Sequence, residues 1–252
     1  MTSDAASILA RVRLHRLDSP ANFYPLAGRM VPWCAAAALA LTLVALAIDL
    51  LVVPAAQPGD TSRIVFIHVP AAWMSLLLYL SMAGCAALAL ANARVPALVM
   101  VALAPTGAMF SIVALWTGLL WGKPAWGDWW VWDARLTCEL ILFCLYIGFL
   151  ALRGTFEDRL RADRAAAVLV LVGVLNIPII YYSLSWWKTT PHQGVAASLI
   201  GQRKMTPPMQ AGMLMMTAAF WMYANAVVLA RVRCLTLERR ARPAAAGQES
   251  AA

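Results

Sequence analysis

The sequence has few charged residues for its length. Only 13% of its 252 residues are Asp, Glu, Lys or Arg, against about 25% in soluble globular domains. Hydrophobic residues make up 62% of the chain and the mean hydropathy is +0.72, whereas soluble domains are about 45–50% apolar. This composition excludes an ordinary soluble domain and indicates an integral membrane protein.

Several patterns that carry chemistry in other proteins are missing. The five cysteines form no CxxC pair and lie mostly in apolar runs, so neither a disulfide framework nor a zinc site is predicted. No GxxxxGK[ST] phosphate-binding pattern occurs, so any ATP hydrolysis must belong to a partner subunit. We therefore predict a protein that is not an enzyme.

The apolar residues form continuous runs without the alternation of a membrane-spanning strand. A helix needs about 20 such residues to cross a bilayer, so we predict an all-α integral membrane protein with six transmembrane helices. The predicted spans are 31–53, 71–91, 97–120, 134–152, 165–184 and 209–230. The predicted regions are an N-terminal tail over 1–30, a six-helix membrane domain over 31–230 and a basic, partly disordered C-terminal tail over 231–252.

Basic residues are distributed unequally between the two sides of this six-span arrangement. The side that includes both termini holds fourteen Lys or Arg residues, and the other side holds six. By the positive-inside rule both termini and both tails are cytoplasmic. Because these basic residues lie in short loops and tails, we interpret them as topology signals. No nucleic-acid partner is predicted. The loops around 55–67, 121–133 and 185–208 then face the periplasm of a Gram-negative bacterium.

The 121–133 segment, which we call the tryptophan loop, is unusually aromatic. Six of the eleven tryptophans of the chain fall within 17 residues. Tryptophans that anchor a helix at the bilayer interface are normally much sparser, so this density favours a flat aromatic platform for a large planar group. The six are Trp116, Trp121, Trp126, Trp129, Trp130 and Trp132.

The chain has only three histidines, and two of them flank the tryptophan loop. His15 lies in the predicted cytoplasmic tail and is expected to be solvated. His68 and His192 each neighbour a proline in the two other extracytoplasmic loops. One histidine at a membrane interface is ordinarily a polar anchor, but two on one side of an aromatic cluster can ligate haem iron axially. The residues therefore favour haem bound between His68 and His192.

Charged residues near these loops have separate interpretations. Five cations are available to pair with the haem propionates. A bare metal ion would need more nearby carboxylates or thiolates. Asp133 is predicted to be the N-cap of the fourth span, and Asp49 and Glu139 are expected to reach water or cap helix ends. The five cations are Lys123, Arg135, Lys188, Arg203 and Lys204.

The tryptophan loop also carries a recognisable motif. Residues 126–137 read WGDWWVWDARLT, which resembles the WWD motif of the haem-handling membrane proteins of cytochrome c maturation. Residues 63–73, RIVFIHVPAAW, and 189–193, TTPHQ, together with the six spans, resemble the haem exporter protein C family over about 30–233. Asp128 departs from the pattern, because a small neutral residue is expected there.

The resemblance implies a site and a function. His68 and His192 would be the axial ligands of a non-covalently bound haem b, and the haem platform would consist of Trp126, Trp129, Trp130, Trp132 and Asp133. The protein would sit in the bacterial inner membrane and present haem on the periplasmic side to a haem chaperone during c-type cytochrome biogenesis. Its implied partners are an ABC-transporter ATPase with its membrane subunit and a small single-span membrane subunit.

Two other functions remain possible from the sequence. A b-type cytochrome subunit that carries electrons would place its histidines on facing helices at membrane depth, commonly as two pairs. A small-solute transporter would have polar residues lining a path at mid-membrane. The spans offer little beyond Asn176 and Asn225 for such a path, and both are expected to form hydrogen bonds between helices.

Overall fold

The chain forms a bundle of long helices. The computed structural model describes residues 18–52, 62–186 and 206–249, and within these ranges there is no strand, which confirms the all-α prediction. A π-helical turn at Ile48–Val52 continues the first helix, and a 3-10 turn at Ser62–Ile64 precedes the second. The α-helices are α1 Pro20–Ala47, α2 Val65–Leu90, α3 Arg94–Trp126, α4 Ala134–Gly154, α5 Arg159–Gly173, α6 Asn176–Trp186 and α7 Pro207–Glu249.

Six helical segments are long and apolar enough to cross a membrane, as predicted, and the chain is a multi-pass membrane protein. They are Pro20–Val52, Val65–Leu90, Arg94–Pro124, Ala134–Gly154, Arg159–Ile180 and Pro207–Ala241. The fifth segment joins α5 to the start of α6. The break between the two helices has a local cause, because Pro178 has no N–H to donate to the carbonyl of Val174. The N–H of Ile177 bonds that carbonyl instead, at 3.1 Å.

The helices begin and end at different residues from the predicted spans. A helix begins at Pro20, inside the predicted tail, and α7 continues to Glu249 through the segment predicted as partly disordered. The prediction that His68 lies in a loop is wrong, since α2 already begins at Val65. Apolar runs mark the part of a helix that meets hydrocarbon, whereas helical hydrogen bonding continues until a residue interrupts it.

Two pairs of helices form the most extensive contacts, α2 with α3 and α1 with α7. Helix α3 is the most buried span and also contacts α4 and α7. Leu39 and Leu43 on α1 are exposed, as expected for side chains that face lipid. The main core is therefore built around α2 and α3, with side chains from α4, α5 and α7 packed on them.

Close contacts in this core depend on small residues. Gly107 on α3 lies against the ring of Tyr146, and a side chain at that position would occupy the space of the ring. The hydroxyl of Tyr146 donates to the carbonyl of Ser75 on α2, at 2.7 Å. The same ring meets Tyr79 edge to face, with centroids 5.1 Å apart. These contacts fix α4 against α2 and α3 in the interior of the bundle. They lie below the end of the bundle that is predicted to be extracytoplasmic.

Asn176 and Asn225 illustrate the limits of the hydrogen-bond prediction. The side-chain amide of Asn176 donates to the carbonyl of Cys138 on α4, at 2.9 Å, which confirms the predicted bond between helices. Asn225 instead donates to the carbonyl of Trp221 in its own helix, at 2.8 Å. The difference arises because only Asn176 sits at a helix start that abuts another helix.

Candidate functional site

His68 lies in the second turn of α2, close to the end of the bundle that also carries the tryptophan loop. Its side chain is partly buried against α3. The Nδ1 atom is 3.1 Å from the carbonyl oxygen of Ala114 and 3.0 Å from the hydroxyl of Thr117. Two groups on one turn of α3 therefore hold one edge of the imidazole ring.

These contacts determine which ring nitrogen carries the hydrogen. A carbonyl oxygen can only accept, so Nδ1 must donate to Ala114. The hydroxyl of Thr117 gives its own hydrogen to the carbonyl of Val113, at 2.7 Å, and so it also accepts from Nδ1. In the neutral ring the lone pair is then on Nε2. A histidine fixed through Nδ1–H in this way is the form that ligates metals.

Neighbouring residues shape the space around the ring. A Cβ atom at Gly118 would lie 3.2 Å from Cε1 of His68, closer than an ordinary van der Waals contact. On the same helix Trp121 meets the imidazole edge to face, with centroids 5.7 Å apart and an interplanar angle of 74°. Glycine at 118 therefore lets the histidine approach α3 while Trp121 restrains its orientation.

The tryptophan loop is shorter than predicted, because α3 extends through Trp126 before the chain leaves the helix. Gly127 ends the helix with φ 86°, a left-handed conformation that favours glycine, and its N–H bonds the carbonyl of Lys123 at 2.9 Å. The ammonium of Lys123 donates to the carbonyl of Gly127 at 2.7 Å. Lys123, predicted as a partner for a haem propionate, is thus engaged in closing the end of α3.

The 127–133 loop presents large aromatic side chains to the outside. Trp129 and Trp132 are 56% and 71% exposed, and Trp116 on α3 is 63% exposed. Trp130 and Trp132 meet edge to face, with centroids 5.2 Å apart and an angle of 72°. The prediction of a flat platform is therefore wrong for this pair, whose rings form a corner. The exposed indoles are available to contact a bound planar group or the bilayer interface.

One polar atom of this cluster lacks a partner. The Nε1 atom of Trp130 is buried, and it donates to no acceptor among the described residues. Indole N–H groups that are buried usually find an acceptor. The atom is a donor suited to an anionic group held at the loop.

Asp133 and Arg135 link the loop to α4. The carboxylate of Asp133 accepts from the N–H of Leu136 at 2.7 Å, which confirms the predicted N-cap. Arg135 follows the cap by two residues, in the first turn of α4. A cation is therefore present at the end of the bundle that carries the loop, where it could meet an anionic substituent.

Asp49 and Arg63 form an ion pair at the same end of the bundle. Their closest N and O atoms are 3.8 Å apart, and the side chain of Asp49 is 14% exposed. The expectation that Asp49 reaches water is thus only partly met, since its carboxylate pairs with the turn that precedes α2. This contact ties the end of the first span to the start of the helix that carries His68.

Glu139 was expected at the water boundary and is instead buried. The hydroxyl of Ser111 on α3 donates to its carboxyl group at 2.6 Å, inside the bundle and below the loop. The sequence did contain a signal, because polar or small residues recur at helical spacing on three neighbouring helices. They are Ser75 and Tyr79, Gly107 and Ser111, and Glu139 and Tyr146.

The structure brings together part of the predicted site. His68, Trp129, Trp130, Trp132, Asp133 and Arg135 all lie at one end of the bundle. His192 lies outside the described residues, as do Lys188, Arg203 and Lys204, and the side chain of Trp126 is likewise not described. Among the described residues no group of three His, Cys, Asp or Glu side chains could hold a bare metal ion.

Sequence comparisons identify the family of the chain. The family model described as heme exporter protein C matches residues 13–246. Heme exporter protein C of Escherichia coli (strain K12) is 43% identical over 226 residues, which cover 89% of this chain and 91% of the relative. Its counterpart in Bradyrhizobium diazoefficiens is 41% identical over 228 residues, 90% of this chain and 86% of the relative.

A relative from a plant matches a shorter part. The putative cytochrome c biosynthesis ccmC-like mitochondrial protein of Marchantia polymorpha is 42% identical over 163 residues, 64% of this chain and 68% of the relative. The family model covers most of the chain, and both bacterial relatives exceed 40% identity over nearly all of it. The chain therefore belongs to the heme exporter protein C family, CcmC.

Proposed function

We propose that this protein has a role in haem export for cytochrome c maturation. It binds haem b non-covalently at the His68 end of the bundle, on the periplasmic face of the bacterial inner membrane, and delivers it to a periplasmic haem chaperone. The observation that carries the proposal is the geometry of His68, whose Nδ1 bonds to α3 leave Nε2 with the lone pair that iron requires.

His68 and His192 are the proposed axial ligands of the iron. The hydrogen bonds from His68 to Ala114 and Thr117 orient its ring and raise its basicity as a ligand. His192 lies between α6 and α7 in the sequence and would bind the iron from the opposite face of the porphyrin. Two neutral imidazoles complete an octahedral iron site, which suits a protein that holds haem without reacting with it.

The porphyrin is proposed to rest against the tryptophan cluster. The exposed indoles of Trp129 and Trp132 offer apolar area and ring edges to its π-face. Trp126 and Asp133 are included in this contact, and the N–H of Trp130 and the guanidinium of Arg135 are donors for the propionates. A corner of rings can hold a planar group on one side and leave its other edge open to an acceptor.

The open position of the cluster supports delivery to a partner. Trp129 and Trp132 are both more than half exposed in the loop at the end of the bundle, where a second protein could reach a bound haem. The proposed partners are the chaperone, an ABC-transporter ATPase with its membrane subunit, and a small single-span subunit. The chain acts in this scheme by binding and presenting haem. Its histidines would form and release only the coordination bonds to iron.

Absorption spectroscopy of the purified protein tests the binding step. We expect a low-spin, bis-histidine type haem spectrum, and His68→Ala should lower the haem content per protein on the order of tenfold. His15→Ala is the matched control, since it removes a histidine from the opposite tail and should leave the spectrum unchanged. Haem content and spectrum that persist in both His68→Ala and His192→Ala would exclude axial ligation by these residues.

Delivery is tested in cells through the chaperone. We expect alanines at Trp129, Trp130 and Trp132 to decrease the amount of covalently haem-loaded chaperone. Trp33→Ala is the control, because this indole on α1 is 78% exposed and belongs to neither the loop nor α3. Normal loading in the triple variant would remove the tryptophan cluster from the mechanism.

A further inference from the structure

A cleft lies at the opposite end of the bundle from His68. It has a volume of about 330 Å³, close to the lower limit of small-molecule sites. Its walls come from the turn between α2 and α3, the first turns of α5 and the distal part of α7. The residues that matter here are Leu90, Asn92, Arg94, Leu160, Arg164 and Arg239.

Three arginines line this cleft, and their charges exceed those of the nearby carboxylates. Asp163 is the acidic residue in the lining, and it is already paired with Arg153 at 2.8 Å and with Arg239 at 2.7 Å. Its negative charge is therefore shared between two cations. Arg94 and Arg164 add two positive charges at the rim.

Asp158 and Asp18 are further carboxylates near the cleft. Asp158 accepts from the backbone N–H of Leu160 at 2.9 Å and pairs with Arg161 at 3.4 Å. Asp18 accepts from the backbone N–H groups of Arg94 and Val95, at 2.8 and 2.9 Å, and thereby caps the start of α3. With these two carboxylates and Asp163 counted against the three lining arginines and the paired Arg153 and Arg161, an excess of positive charge remains that favours an anion.

The turn between α2 and α3 positions one of the arginines. Asn92 has φ 67°, a left-handed conformation that asparagine tolerates better than most residues. Its side-chain oxygen accepts from Nη2 of Arg164 at 3.3 Å. A guanidinium has five N–H donors, so this bond orients Arg164 and leaves donors for a ligand.

The remaining walls are apolar and lie where helices leave the membrane. Leu90 ends α2, and Leu160 in the first turn of α5 is 60% exposed. Alanines from α2, α3 and α5 fill the space between them. Headgroup phosphates and the first acyl carbons of a lipid meet at this level of a bilayer, in either orientation of the chain.

We propose that this cleft binds the phosphate group of an anionic phospholipid, with its headgroup against Arg94 and Arg164 and its glycerol end against Leu90 and Leu160. Arginine suits this ligand because its planar fork can donate two parallel hydrogen bonds to phosphate oxygens. A lipid bound here would hold the turn between α2 and α3, α5 and α7 together. The site is independent of the proposed haem site.

The test uses the full-length protein purified in a zwitterionic detergent. Thermal unfolding and native mass spectrometry are recorded with added phosphatidylglycerol, phosphatidylcholine or inorganic phosphate at equal concentration. We expect phosphatidylglycerol to raise Tm and to bind more tightly than phosphatidylcholine. The double variant Arg94→Gln/Arg164→Gln should weaken phosphatidylglycerol binding on the order of tenfold.

Two further variants keep the result interpretable. Arg161→Gln/Arg231→Gln removes the same number of charges from exposed positions outside the cleft and should retain the lipid effect. Arg94→Lys/Arg164→Lys keeps both positive charges and should retain part of the phosphatidylglycerol binding. This variant provides the test if the glutamine variant fails to fold. Equal effects of the two lipids, equal losses in the cleft and control variants, or a Tm shift from inorganic phosphate as large as that from phosphatidylglycerol would each overturn the proposal.

Discussion

Three small features of α3 determine the state of His68. The carbonyl of Ala114 and the hydroxyl of Thr117 accept from Nδ1, and Gly118 leaves room for the ring. None of the three is a residue that would be chosen as a ligand. Together they orient the ring and place its hydrogen on Nδ1, which leaves the lone pair of the neutral ring on Nε2, as the proposed iron site requires.

A substitution at Gly118 tests this arrangement. In Gly118→Ala the new methyl group would press on Cε1 of His68, so we expect the haem content to fall on the order of threefold to tenfold. Haem per protein, measured from the spectrum of the pyridine complex, gives the result. Gly84→Ala is the matched control, since a Cβ on that face of α2 meets no atom within 4 Å. Equal haem content in the two variants would show that the ring does not depend on this space.

Glu139 offers a second test at the scale of single residues. Glu139→Gln preserves an oxygen that can accept from Ser111 and should unfold at a similar temperature. Glu139→Ala leaves a buried hydroxyl without that partner, at a cost of about 1–3 kcal/mol, and should lower Tm. Thermal unfolding in detergent distinguishes the two. Glu238→Ala, at an exposed position of α7, is the control, and a loss in Glu139→Ala no greater than in this control would contradict the structural role.

At the scale of elements, the 127–133 loop is defined by the helix signals at its two ends. Gly127 and Lys123 end α3, and Asp133 begins α4 through its bond to the N–H of Leu136. The loop between them is short, and its indoles are held at fixed distances from both helices. The polar side chains Lys123 and Asp133 thus close the ends of the two helices, whereas the proposed contacts with haem are mostly aromatic.

The N-cap can be separated from the charge of Asp133. Asp133→Asn keeps a side-chain oxygen that caps helices as well as aspartate does, whereas Asp133→Ala removes it at a cost of about 1 kcal/mol. We expect the alanine variant to lose thermal stability and haem, and the asparagine variant to retain most of both. Tm and the haem-to-protein ratio are the measurements. An asparagine variant as poor as the alanine variant would show that the negative charge, and not the cap, is required.

The sequence predicted elements more accurately than contacts. Continuous apolar runs gave the six spans, because hydrocarbon thickness sets their length. The ends were missed, since α2 and α3 continue through polar residues to include His68 and Trp126. Glu139 was misplaced because its burial depends on Ser111 from another helix, and the spacing of polar and small residues indicates that partner only when the helices are compared with one another. The composition of the haem site stays a prediction, while the ring angles within the tryptophan loop could not be derived from the sequence because they depend on packing.

At the scale of the whole molecule, the two ends of the bundle have different chemistry. One end carries His68, the exposed indoles and Arg135, and the other carries the arginine-lined cleft. The unequal distribution of basic residues between the two ends predicts that both termini are cytoplasmic. The proposed direction of haem delivery depends on this orientation.

Thiol labelling tests the orientation. Asp128→Cys places a thiol in the exposed 127–133 loop, and Glu157→Cys places one in the exposed connector between α4 and α5. In spheroplasts a membrane-impermeant maleimide should label the first variant, and it should label the second only after permeabilisation. The unsubstituted chain, with its five native cysteines, gives the background. The reverse pattern would place the tryptophan cluster in the cytoplasm and contradict periplasmic delivery.

The hydrogen bond from Asn176 to Cys138 has a consequence for the spacing of the proposed iron ligands. Helix α4 begins at the tryptophan cluster, and α6 is the helix that precedes His192 in the sequence, so this bond sets the register between two elements of the proposed haem site. A slip of a single residue along a helix is about 1.5 Å, whereas metal–ligand distances are held within about 0.2 Å. A slip of that size between α4 and α6 would exceed the tolerance of the proposed iron site. The amide of Asn176, which has no proposed contact with haem, therefore helps to set the geometry of that site.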